Sequence, residues 1–169
     1  MSSLDLFLFN NPEAVIGFRS VLDQVTGGRS VAHMQRMPEG NARFSGLLSL
    51  ENGGGFASVR SFPRDLHIRN ETHLALRVRG DGKRYQVHLR TNDTLDGISY
   101  RASILGPRNW GTVVIPFSGF APTYRGKILK RAPPMQRDRI CTVGFMVADR
   151  QEGPFTLDLA WVRALRLVN

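Results

Sequence analysis

Cysteine is nearly absent. Cys141 is the single thiol, which excludes an intrachain disulfide framework and fits a reducing compartment. No apolar run approaches the roughly eighteen residues of a membrane-spanning helix. The alternating Leu4, Leu6 and Leu8 form too short an apolar stretch for a signal peptide and lack a basic flank. No arginine precedes Arg19, unlike a mitochondrial transit peptide. These absences set the expectation of a cytoplasmic chain, membrane-peripheral at most, or a matrix protein if it is a processed eukaryotic form. Lysine is scarce as well: only Lys83, Lys127 and Lys130 are lysines among the 23 basic residues.

What remains is a chain rich in arginine. Its 169 residues are 41% hydrophobic and 22% charged, enough for one globular domain with a real core. The net charge is +9. Arginine presents a planar donor fork suited to carboxylates and phosphates, so the partners expected are anionic, whether acidic protein surfaces or an anionic membrane surface.

Strand signals dominate. Leu74, Leu76 and Val78 alternate with Ala75, Arg77 and Arg79; Gly80-Asp81-Gly82 follows, then Tyr85, Val87 and Leu89 alternate with polar neighbours. Two period-two runs joined by a Gly/Asp turn predict a β-hairpin. Further strands are expected over 44–50, 56–60, 98–104, 112–117, 140–147 and 155–167. Only residues 12–22 look helical, with Asn11 as cap and Pro12 in the first turn. Residues 121–139 read as a long loop. Short strands with glycine-rich turns and little helix argue for an all-β sandwich or barrel.

Catalytic and metal chemistry find little purchase. His33, His67, His73 and His88 show no ligand spacing and read as surface or edge-strand residues. Cys141 alternates with Val143 and Phe145, the pattern of a buried, inert thiol. No nucleophile elbow or phosphate loop is present, and the glycine clusters at 27–28 and 53–55 lack the following helix that nucleotide binding needs. No enzyme activity, cofactor or metal is expected.

Two basic features stand out. If the hairpin forms, Arg77 and Arg79 would join Arg84, His88 and Arg90 in one cationic stripe. The second feature runs from Tyr124 to Arg139, with Arg125, Lys127, Lys130 and Arg131 at its centre. Nucleic acid is not expected, because stacking aromatics are missing there. A carbohydrate-binding module is the alternative, with Trp110, Tyr100 and Tyr124 as candidate sugar platforms.

A resemblance to a known family rests on several motifs in order. They are Asp23-Gln24-Val25-Thr26-Gly27-Gly28-Arg29-Ser30, Phe44-Ser45-Gly46, Glu51-Asn52-Gly53-Gly54-Gly55-Phe56, Gly80-Asp81-Gly82-Lys83-Arg84-Tyr85, Ile115-Pro116-Phe117 and Gly153-Pro154-Phe155. Together these resemble the complex I intermediate-associated protein 30 family over residues 17–169, leaving 1–16 as an N-terminal segment. Phe18 stands where the resemblance would place a tryptophan. The resemblance implies a jelly-roll β-sandwich of the galactose-binding-domain-like type. It also implies a non-enzymatic, chaperone-like role on assembly intermediates of respiratory complex I (NADH:ubiquinone oxidoreductase). Its motif loops (Asp23, Gly27 to Ser30, Glu51, Asn52, Gly54 to Phe56 and Gly80 to Gly82) are then candidate binding positions. Oligomeric state is left open.

Overall fold

The computed structural model describes residues 2–22, 28–92 and 97–168. Thirteen strands occur among them: β1 Ser2–Leu8, β2 Phe18–Leu22, β3 Val31–Arg36, β4 Ala42–Leu48, β5 Ala57–Ser61, β6 His73–Gly80, β7 Arg84–Arg90, β8 Ser99–Leu105, β9 Gly111–Pro116, β10 Ala121–Tyr124, β11 Lys127–Ile128, β12 Thr142–Val147 and β13 Gly153–Arg166. One short helix, α1 Pro12–Ile16, precedes β2.

The strands form two antiparallel sheets. One has six strands in the order β3-β4-β13-β6-β9, with β1 also paired to β13. The other has seven, in the order β11-β10-β8-β7-β12-β5-β2. Inward residues of the two sheets make one core, including Phe44, Leu76, Val78, Tyr85, Val87, Phe145, Phe155 and Leu157. The architecture is the expected jelly-roll sandwich.

Three expectations about local structure need correction. Residues 12–22 do not form one helix. Asn11 caps α1 through its side chain, but Gly17 ends it, and Phe18–Leu22 pairs with β5 as an edge strand. The spacing of Val15 and Phe18 served both conformations, because each is buried in its own element. The supposed hairpin across Gly80-Asp81-Gly82 is a crossover: β6 lies in the six-stranded sheet and β7 in the seven-stranded one. The 121–139 loop contains the small hairpin β10–β11, turned by Arg125 (φ 50°) and Gly126 (φ +81°).

Residues 2–16, read as an N-terminal segment, supply β1, Phe7, Phe9 and Val15 to the core. Phe18 packs against Phe7, Phe9 and Phe145 at ring separations of 5.1, 5.6 and 6.1 Å. Burying such aromatic clusters is a main source of stability in a fold of this size.

Two family-motif glycines are explained by close approach. A Cβ on Gly46 would fall 1.9 Å from the Val31 carbonyl oxygen, and one on Gly80 would fall 2.6 Å from the Gly106 Cα.

Candidate functional site

Register builds a single row across the outer face of the seven-stranded sheet. Arg19 on β2 faces Arg60 on β5, Arg60 faces Gly144 on β12, Gly144 faces His88 on β7, and His88 faces Arg101 on β8. Arg90 lies two residues along β7 from His88, opposite Thr142. Residues paired across an antiparallel ladder share a face. The alternate positions Val59, Phe145, Val87 and Leu89 enter the core, so this row points outward.

The row is acceptor-poor. Arg60 is only 9% exposed. Burial, followed by the fields of Arg90 and Arg19, lowers its pKa to about 10. His88 holds Gln86 Oε1 through Nε2 at 2.8 Å and Ser99 Oγ through Nδ1. Burial, then the charges of Arg90, Arg101 and Arg60, push its pKa down to about 3, so the ring is neutral at physiological pH. Arg60 Nη1, Arg19 Nε and Thr142 Oγ1 are buried without a hydrogen-bond partner. No ion pair found among the described residues includes Arg19, Arg60 or Arg101. Arg19 instead lies over the Phe62 ring at 5.4 Å. Arg19, Arg60 and Arg101, without a carboxylate partner among the described residues, can receive an anion.

The expected cationic stripe does not exist. Arg77 and Arg79 sit on the outer face of the six-stranded sheet, and Arg84 and Arg90 belong to the other sheet. Arg79 is already engaged: its Nη2 donates to Asp158 Oδ2 at 2.8 Å, and its guanidinium lies over Trp110 at 4.8 Å. Arg43 donates to the same carboxylate from Nε and Nη2 at 2.8 and 3.1 Å. Asp158 is buried on this face, and the trio ties β4, β6 and β13 together. Arg77 Nη1 donates to Thr112 Oγ1 at 3.3 Å.

The family-motif loops gather at one end of the sandwich, as the pairings of Leu48 with Gly153, Gly80 with Leu157 and Leu22 with Ala57 require. Ser49 N–H donates to Ser30 Oγ at 3.0 Å, and Arg29 pairs with Glu51 at 3.6 Å in the open. Asn52 (φ 54°) turns that loop. Gly28 is buried, and Gly54, Gly55 and Phe56 are half-buried. Asp81 is structural: it accepts from Lys83 N–H, Tyr85 O–H and Thr156 N–H at 2.9–3.0 Å. Asp23 and Gly27 lie outside the described residues.

The basic segment occupies the opposite end, since β10 pairs with the start of β8. There Arg125, Lys127, Lys130 and Arg131 are exposed beside Ile128. Loops and basic segment therefore make two surfaces rather than one.

Other expectations meet mixed outcomes. His88 is neither a surface nor an edge histidine, because β7 is the middle strand of seven. Cys141 precedes β12 and is half-buried, with Sγ 3.4 Å from the Asn92 carbonyl oxygen. The three candidate sugar platforms are dispersed: Tyr100 is in the core with its hydroxyl on Pro133 O, Trp110 lies beneath Arg79, and Tyr124 is at the basic tip. The arginine row escaped sequence reading because its members are spread from 19 to 101. The alternation of Arg84, His88 and Arg90 gave its only local signal.

A family profile described as complex I intermediate-associated protein 30 matches residues 7–159. The chain belongs to the complex I intermediate-associated protein 30 family. The Neurospora crassa protein of that name, designated mitochondrial, is 28% identical over 88% of this chain and 68% of its own length. The Mus musculus protein, named likewise, is 30% identical over 83% of this chain and 49% of its own. This member thus spans about half the length of the mouse relative. Among solved structures, a family 11 carbohydrate-binding module from Clostridium thermocellum, in complex with a mixed-linked tetrasaccharide, superposes with a TM-score of 0.71. It covers 99% of this chain and 97% of the module, at 18% identity. That likeness shows a shared fold.

Proposed function

We propose that this family member is a non-enzymatic binding module that holds intermediates of respiratory complex I during assembly. The family match along residues 7–159 carries the reading. Among the described residues no three His, Cys, Asp or Glu side chains gather to hold a metal, and no helix is long and apolar enough to cross a membrane. Such a module would meet its client at the membrane surface. The β10–β11 tip is the proposed docking edge. Arg125, Lys127, Lys130 and Arg131 would meet acidic client loops or anionic headgroups, beside Ile128, which is 60% exposed. Exposed charge contacts of this kind are transient and weaken with salt. The motif loops at the other end are proposed as a second contact, through Arg29, Glu51 and their glycine neighbours.

The test is affinity purification of the tagged protein from gently solubilised membranes, at low and then moderate salt. Complex I membrane-arm subunits should be recovered and then lost as salt rises. Charge reversal at Arg125, Lys127, Lys130 and Arg131 should abolish recovery at low salt; unchanged recovery would refute the docking edge. A carbohydrate role gains no support from the dispersed Tyr100, Trp110 and Tyr124.

A further inference from the structure

We infer that the arginine row on the seven-stranded sheet is a binding site for a phosphate-bearing ligand, seated over Gly144 between Arg60 and Arg101. This goes beyond the assembly role and does not depend on the client.

Geometry defines the seat. Gly144, itself buried, separates Arg60 from His88 in the row and adds no side chain between them. Strands lie about 4.8 Å apart, so the Cα atoms of Arg60 and Arg101 are about 14 Å apart across three steps. Arginine stems of about 6–7 Å allow both forks to reach one group above the glycine. Arg60 and Arg101 both act on His88 electrostatically, which brings both charges to the neighbourhood of this central strand.

The chemistry selects the ligand class. Arg60 is nine-tenths buried, and its Nη1 has no partner. Thr142, 1% exposed, keeps an unpartnered Oγ1 on the same face. Buried donors left unsatisfied are costly, and a buried guanidinium such as Arg60, with no carboxylate partner among the described residues, is costlier. A single multivalent anion answers both. Phosphate presents several strongly accepting oxygens in different directions, which suits forks arriving from opposite sides. A neutral sugar would leave the charges unanswered, and none of the three candidate platform aromatics lines the row. His88 adds no charge but supports the floor, held by Gln86 and Ser99.

The test titrates the full chain with sodium pyrophosphate by calorimetry at low salt. A parallel arm measures sedimentation with phosphatidylcholine vesicles with or without phosphatidic acid. Saturable pyrophosphate binding is expected, weakened about ten- to a hundredfold by Arg60→Gln and by Arg101→Gln, the loss appropriate to one charge-assisted contact. Arg166→Gln, at an exposed position on β13 of the other sheet, should leave it unchanged. Binding only to phosphatidic acid vesicles, lost in Arg101→Gln but kept in Arg166→Gln, would assign the phosphate to a lipid headgroup. Arg101 is only half-buried, so Arg101→Gln decides the matter if Arg60→Gln fails to fold. Silence in both arms overturns the site, as does wild-type binding by Arg101→Gln. Binding of a polyglutamate peptide while both phosphate probes stay silent also overturns it, in favour of an acidic protein segment.

Discussion

Arg60 stands directly opposite Arg19 in the β2–β5 ladder, and no described ion pair offsets either of them. Like charges placed opposite one another destabilise a sheet. Burial, then the fields of Arg90 and Arg19, lowers the Arg60 pKa in the folded protein to about 10. The cost is therefore fully present at neutral pH and is relieved only as pH rises above 10. Replacing Arg60 with methionine should raise ligand-free stability by about 1–2 kcal/mol, as replacing uncompensated buried charge with apolar volume does. Urea melts at pH 7 would show a higher midpoint at unchanged slope. A lower midpoint would mean that Arg60 serves the fold.

His88 predicts the acid limb of the stability profile. Its folded pKa of about 3 lies below the unfolded value of 6.5. Between those values the unfolded chain binds a proton that the folded chain refuses, so stability falls as pH drops from 6.5 towards 3. The slope contributed is at most about 1.4 kcal/mol per pH unit. Urea melts at pH 7, 6, 5 and 4.5 should show this loss, and His88→Gln should flatten it. Identical profiles for the two proteins would contradict the half-buried, neutral imidazole.

Asp158 should be costly to remove. Burial alone would raise its pKa, but hydrogen bonds from Arg43 and Arg79 hold it below the usual carboxylate range. Its contribution is thus present above pH 3.8 and lost as pH falls further. Asp158→Ala should destabilise by about 2–4 kcal/mol, because two partly covered guanidiniums lose their shared acceptor. Thermal melts at pH 7 measure this, and the difference from wild type should shrink near pH 3.

Gly80→Ala tests the crossover. Its Cβ would meet backbone of Gly106 on two atoms below 3 Å, with no flexible side chain to yield. The expected cost is about 1–3 kcal/mol. Gly126→Ala has open space at its Cβ but a φ of +81°, so it should cost about 1 kcal/mol through backbone strain alone. A Gly80→Ala protein as stable as wild type would refute the close approach.

The strands with strict alternation, such as 74–78, 85–89 and 155–159, were legible because one face of each enters a shared core. What alternation could not reveal was the sheet to which each strand belongs. Gly80-Asp81-Gly82 has the composition of a hairpin turn, yet Asp81 spends its side chain on Tyr85 and Thr156 to anchor a crossing between layers. β3 and β10–β11 are short edge or near-edge elements with weak patterns, and they were missed. The arginine row illustrates the same limit. Its chemistry was visible as excess arginine, but its geometry depends on five strands brought into register.

β13 carries a consequence for how the protein is made. It comes last among the described strands, yet β1, β4 and β6 all pair with it. Until residues 153–166 arrive, β4 and β6 have no strand between them and each presents an open edge. Open edges recruit stray strands, and pairings between distant parts of a chain form slowly. The six-stranded sheet must therefore wait unfinished on its final strand, so that a protein associated with assembly is itself vulnerable until its keystone is set.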